Sequence, residues 1–175
     1  MPDQTDQLAQ QGDLQTLART ILDSTALGSL STLAAAPVGD AGAGAPYTSL
    51  VLIGQDPADG APVLLLSGLA RHTQNLKKDP RGSLLLAPPT AQGEGPLEGA
   101  RLTVMGRFCE IGPESGESDA KLVRQAYLDR HPDAATYVDF GDFSLWRLAI
   151  AGAHLVAGFG RITEIPVNSL IFKRF

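Results

Sequence analysis

Short apolar runs with strand composition follow one another along this chain, and helical stretches separate only some of them. They fall at residues 26–34, 47–54 (YTSLVLIG), 62–67 (PVLLLS), 82–87, 101–111 (RLTVMGRFCEI), 143–150 and 154–165. Regular alternation of strand and helix would give a parallel doubly wound sheet. Strands in adjacent pairs instead call for antiparallel pairing. The expected fold is therefore mainly β (α+β), an antiparallel split β-barrel with peripheral helices.

Several local signals refine this. Residues 55–61 carry Asp-Pro and Asp-Gly and should turn sharply, so runs 47–54 and 62–67 read as a hairpin. The Leu64-Leu65-Leu66 series predicts burial on both faces, or on one face plus a partner subunit. Gly106 inside a long strand predicts a bulge or a barrel corner. Ala151-Gly152-Ala153 reads as a tight turn between the last two strands. Helices are expected over 8–22, 70–78 and 118–130 from their apolar spacing, with residues 1–7 frayed. Leu122, Val123, Ala126 and Tyr127 would form the buried side of the third helix, which His131-Pro132 stops. The Gly- and Pro-rich stretches 37–46 and 88–99 are loops.

The 175 residues suit one domain, with 1–15 partly frayed and 166–175 as a tail. The net charge of −5 and the lack of a basic block argue against nucleic acid as the main partner. No apolar run approaches the roughly 20 residues of a membrane helix. The polar N-terminus does not read as a signal peptide, so a cytoplasmic chain is expected. Cys109 is the only cysteine, which excludes an intrachain disulfide, and it reads as a small apolar filler inside a strand. His72, His131 and His154 show no short metal-ligand spacing, so no metal site is expected. His131 reads as a cap or a solvent-facing residue and His154 as structural. No G-x-S-x-G elbow marks a hydrolase.

Chemistry concentrates in residues 67–80, SGLARHTQNLKKDP. A buried strand ends in a hydroxyl, a glycine follows, and Arg71, His72, Thr73 and Asn75 gather at the start of a helix. A helix N-terminus presents free N–H groups and the positive end of its dipole, which suits a phosphate. Ser67 and Thr73 can donate hydroxyl hydrogen bonds, and Arg71 and His72 can add charge-assisted ones. A solvated helix start with ordinary capping is the plainer alternative. Arg101 opens a barrel-type strand and, read alone, is an edge arginine. Trp146 and Phe159 read as core or interface packing residues, with a place at the border of a ligand ring as the alternative.

Taken in order, PYTSLV, LLLSGLARHTQNLKKDP, RLTVMGR, YLDRHPDAATYVDFGDFSLWRL and AGFGRI resemble the pyridoxamine 5′-phosphate oxidase-like FMN-binding split-barrel superfamily over residues 18–165. Within it, the haem-utilisation (HugZ-like) branch is the nearest. The resemblance implies a homodimer with FMN between the subunits. It implies that Ser67 keeps a phosphate-binding hydroxyl. His72 and Thr73 stand where the oxidases place an Arg-Lys pair, with Arg71 beside them. It further implies that Ser49 and Arg101 contact the flavin. The oxidases' C-terminal arginine–histidine–aspartate–arginine stretch is absent, so their substrate is not expected. Nor is the extra C-terminal segment of the longer haem-utilisation proteins present, which sets haem degradation aside. Two functions follow: an FMN-dependent oxidoreductase acting on an unidentified small molecule, or a non-catalytic flavin- or haem-binding module.

Overall fold

The computed structural model describes residues 4–90, 95, 97–112, 116–158 and 160–171. Helix α1 (Gln4–Ser24) is followed by strands β1 (Leu27–Leu33), β2 (Pro46–Leu52), β3 (Gly54–Gln55) and β4 (Pro62–Ser67). Helix α2 (Arg71–Lys78), strands β5 (Arg81–Leu86) and β6 (Arg101–Glu110), helix α3 (Glu117–Arg130), β7 (Phe143–Val156) and β8 (Ile162–Glu164) complete the regular elements. A 3₁₀ turn at Pro132–Thr136 follows α3.

All strand pairs are antiparallel, in the order β2-β1-β5-β6-β7-β4-β3, with β8 also on β7. The two ends of that path, β2 and β3, are consecutive in the chain and separated by Ile53 alone. A sheet whose opposite edges are joined by one residue must curl until those edges meet. The result is the split barrel the sequence predicts. Ile53 forms the seam: its N–H donates to Ala26 O at 2.9 Å, and its carbonyl faces the His131 ring.

The barrel interior holds Leu30, Leu64, Leu66, Leu84, Leu86, Leu102, Val104, Phe108, Leu148 and Leu155, closed at one side by Ala18, Ile21 and Leu22 of α1. Fully burying each such leucine stabilises by about 1.5–3 kcal/mol. Strand β4 is buried on both faces, as expected. Leu64 and Leu66 enter the barrel, while Val63 and Leu65 meet Val123 and Tyr127 of α3.

Five expectations are corrected. Strand β2 pairs with β1 across the Gly- and Ala-rich loop, and only Gly54-Gln55 pairs with β4, so the predicted hairpin is reduced to two residues. Residues 143–156 form one strand rather than two. The register of β6 against β7 shifts at Met105/Gly106, where Gly106 pairs with Ile150 and Met105 with Gly152, so Ala151 is the extra residue of a bulge and not a turn. A Cβ on Gly106 would overlap the Ala149 carbonyl, and this is why the bulge sits at that glycine. Cys109 is exposed, because Phe108 takes the inward position on β6. Leu122 is exposed, and Val123 and Tyr127 carry the buried side of α3. Helix α1 also begins at Gln4, earlier than the apolar spacing indicates.

No helix among the described residues is long and apolar enough to cross a membrane.

Candidate functional site

The β4–α2 turn places the predicted site residues, and each can be followed outward from it. Ser67 ends β4 and donates its hydroxyl to Asp142 Oδ2 at 2.5 Å, while Gly68 N–H donates to the Asp142 carbonyl at 2.6 Å. The same Ser67 Oγ accepts from Leu69 N–H at 3.1 Å. Asp142 therefore fixes the turn with both its side chain and its backbone.

On α2 the residues alternate between outside and inside. Arg71 is exposed. Thr73 is fully buried, and its Oγ1 has no hydrogen-bond partner. Asn75 is also buried. It donates to Thr32 Oγ1 at 2.9 Å and accepts from Ala35 N–H at 2.8 Å, tying α2 to the end of β1. His72 lies half-buried against β2, with Nδ1 2.9 Å from Ser49 Oγ. Burial pushes its pKa below the ordinary histidine value, which favours the neutral ring.

Beside His72 opens a groove of about 320 Å³, lined by Leu50, Leu65, Leu66, Tyr127, Tyr137 and Phe143 among others, with Ser67 and Ala70 also in its lining. Among the described residues no arginine or lysine lines it. Burial pushes the Tyr127 hydroxyl up to about 12, so this wall is neutral across the physiological range. The volume is at the small end of the roughly 300–1,000 Å³ of ligand pockets, so one chain would enclose only part of a large flat ring.

The structure thus brings together Ser49, Ser67, Arg71, His72, Thr73 and Asn75, but not Arg101. Arg101 pairs with Val156 at the far end of β7, whereas the groove borders Phe143 at its near end. Its guanidinium donates to Leu97 O at 3.2 Å. His131 is buried, not solvent-facing: it contacts Ile53 O through Nε2 at 2.9 Å and packs on Tyr127, with ring centroids 4.9 Å apart. Trp146 is in the core, and Phe159 lies outside the described residues. Sequence reasoning missed Asp142 and the aromatic wall of Tyr137 and Phe143. All three lie in or beside the YVDFGDF segment that carries part of the family resemblance.

A larger crevice, of about 420 Å³, lies between α1, residues 55–60 and α3. Its charges are largely matched: Arg147 pairs with Asp56 at 2.9 Å and with Asp59, and Arg19 pairs with Asp23 at 2.7 Å. It reads as an ion-paired joint between elements.

Several of the predicted phosphate donors are engaged or shielded within the fold. An FMN phosphate needs free donors, yet the Ser67 hydroxyl is given to a carboxylate, Thr73 Oγ1 is shielded from solvent, and the Asn75 amide is engaged within the fold. Asp142 would also repel a phosphate dianion. The apolar lining fits a flat ring, a shape that haem and a flavin share.

Comparison with known proteins gives the lineage. Residues 10–171 match the family described as CREG, beta-barrel. The chain belongs to the CREG β-barrel family. This family has the split-barrel fold of the pyridoxamine phosphate oxidase-like proteins, so the resemblance read from the sequence holds, including its haem-utilisation branch. The chain is 37% identical over 140 residues to the chloroplastic non-canonical heme oxygenase HOZ of Arabidopsis thaliana, covering 80% of this chain and 39% of that protein. It is 35% identical to a heme binding protein from Mycobacterium smegmatis, with a TM-score of 0.77, covering 90% of this chain and 59% of that one. The heme storage protein HutZ from Vibrio cholerae shares the fold at 19% identity and a TM-score of 0.64, over 83% of this chain and 94% of that one. This CREG β-barrel chain thus spans about two-fifths of the length of its Arabidopsis relative.

Proposed function

We propose that this CREG β-barrel chain binds haem, with one face of the ring in the groove between β2, β4 and Phe143 and with His72 in its lining. The observation that carries the reading is a groove lined mainly by apolar side chains, without arginine or lysine among the described residues, and by a half-buried histidine. Relatives at 35% and 37% identity named for heme binding and heme oxygenase support it. Haem supplies a redox-active iron when bound. The chain supplies apolar walls that exclude water and an imidazole held from behind.

The proposal includes a homodimer. Leu50 (67% exposed), Leu27 (49%), Met105 (43%), Leu85 (40%) and Leu52 (38%) form an apolar outer face across β2, β1, β5 and β6. Leu50 and Leu52 also line the groove, so a second copy seated on this face would cover its open side.

FMN is the second reading. It rests on the superfamily resemblance and on the exposed Arg71 at the N-terminus of α2. Absorption titrations of the purified chain with haemin and with FMN separate the two. A saturating Soret band without flavin binding supports haem. Saturable FMN binding with no Soret band overturns haem in favour of the flavoprotein.

A further inference from the structure

Of the three histidines, only His72 combines groove access with an unused ring nitrogen. His131 spends Nε2 on the Ile53 carbonyl inside the seam. His154 lies on β7 in register with Thr103 and Glu164, at the far end of the strand from the groove. His72 lines the groove, its Nδ1 is tied to Ser49 Oγ at 2.9 Å, and among the described residues its Nε2 has no hydrogen-bond partner. A histidine that binds iron keeps one nitrogen for the metal and gives the other N–H to an acceptor, which fixes the tautomer and raises ligand basicity.

Ser49 is placed to be that acceptor. It lies on β2, whose backbone is held in the β1 ladder with Leu30 opposite Ser49. Its hydroxyl therefore comes from a rigid element and not from a loop. Ser49 is not among the groove-lining residues, so it touches His72 without competing for the ligand. With Nδ1 protonated and donating to Ser49 Oγ, the Nε2 lone pair is the atom left for a metal.

We infer that His72 Nε2 is the axial ligand of haem iron in this groove and that Ser49 is the positioning residue that sets its tautomer. The inference rests on the haem reading above and goes beyond it by naming the atom.

The test uses the full chain and two probes, haemin and metal-free protoporphyrin IX. Affinity is followed by absorption, and ligation by electron paramagnetic resonance and by the iron–imidazole stretch in resonance Raman spectra. His72→Ala should abolish the nitrogen-ligated signature and weaken haemin by at least tenfold while leaving protoporphyrin affinity within twofold. Added imidazole should restore the signature. His72→Gln, which keeps a polar side chain at the site, should behave as His72→Ala does. Ser49→Ala should retain ligation but shift the stretch to lower frequency and weaken haemin about tenfold, the lower end for second-shell partners of metal ligands. Ser49→Thr, which keeps the hydroxyl, should restore both.

An unchanged nitrogen-ligated spectrum in folded His72→Ala or His72→Gln overturns the ligand assignment and leaves haem binding standing. Loss of the signature in His154→Ala with His72 intact overturns it in favour of a ligand from a second copy. A Ser49→Ala stretch identical to wild type removes Ser49 from the role. If neither haemin nor protoporphyrin binds the wild type, the haem reading itself fails.

Discussion

Two histidines flank the run from β2 to β3, and they are held in opposite ways. His131 is buried, with Nε2 at 2.9 Å from Ile53 O, its own backbone N–H on Tyr127 O at 2.9 Å and its ring against Tyr127. His72 is half-buried, with one nitrogen on Ser49 and the other without a hydrogen-bond partner among the described residues. At the seam, the polar groups named here have partners, and the neighbours are apolar. At the groove one valence is left over. A fold gains stability from groups that are satisfied, whereas binding needs a group that is not. The contrast separates the residue that closes the barrel from the one available to a ligand.

The largest effect should come from breaking the seam. His131→Ala leaves the Ile53 carbonyl without its partner and removes a ring from the face of Tyr127. Urea denaturation should show a loss of about 2–4 kcal/mol, combining an unpaired buried acceptor with a cavity. A loss below about 0.5 kcal/mol would falsify the structural role of this imidazole.

Tyr127 sharpens the same side through pH. Its hydroxyl is held up to about 12 by burial, against about 10 in an unfolded chain. Between those values the unfolded state gives up its proton first, so stability falls as pH rises. The contribution is fully present below pH 10 and lost through pH 12. The two-unit separation corresponds to about 2–3 kcal/mol at most. Tyr127→Phe should flatten the alkaline limb of the stability curve over that window. An unchanged limb would assign the slope to other groups.

How much of this could be read from the sequence depends on the range of the interaction. Strand β4 was legible because its three leucines need two apolar faces, and the bulge was legible because Gly106 breaks a strand pattern. Pairing was harder. The 47–54 and 62–67 runs look like a hairpin, but the partner of β2 is β1, brought back by a loop whose glycines and alanines say nothing about register. Ala151-Gly152-Ala153 has turn composition, yet the facing Gly106 makes it a bulge within one strand. At the site, the 67–80 cluster was found, but the sequence could not tell which side chains face inward. Helical rotation buries Thr73 and Asn75 and leaves Arg71 outside. Asp142, 75 residues from Ser67, redirects a hydroxyl that local sequence offers to a phosphate.

Asn75 tests that division, since it was expected at the site and is found bracing the fold. Asn75→Ala removes the donor to Thr32 Oγ1 and the acceptor of Ala35 N–H and should cost about 1–3 kcal/mol by thermal or urea unfolding. Haemin affinity, measured in the folded fraction, should change less than threefold. A loss of binding without loss of stability would return Asn75 to the site.

The smallest stability effect should be at His72, and its smallness is the informative part. The ring makes one protein hydrogen bond, to Ser49, and water can replace it at a half-exposed position. His72→Gln should therefore change unfolding free energy by less than about 1 kcal/mol, close to an ordinary surface substitution. Against the expected loss at His131, that is a difference of at least twofold between two imidazoles of the same chain. Suppose instead that His72→Gln destabilises the chain as much as His131→Ala. Then His72 is a structural brace between α2 and β2, its free nitrogen is incidental, and any loss of haemin binding in the variant reflects a distorted groove. Suppose stability holds while the nitrogen-ligated spectrum is lost. Then the cost of the substitution falls on the bound state alone, as expected for an atom that the fold leaves unpaired.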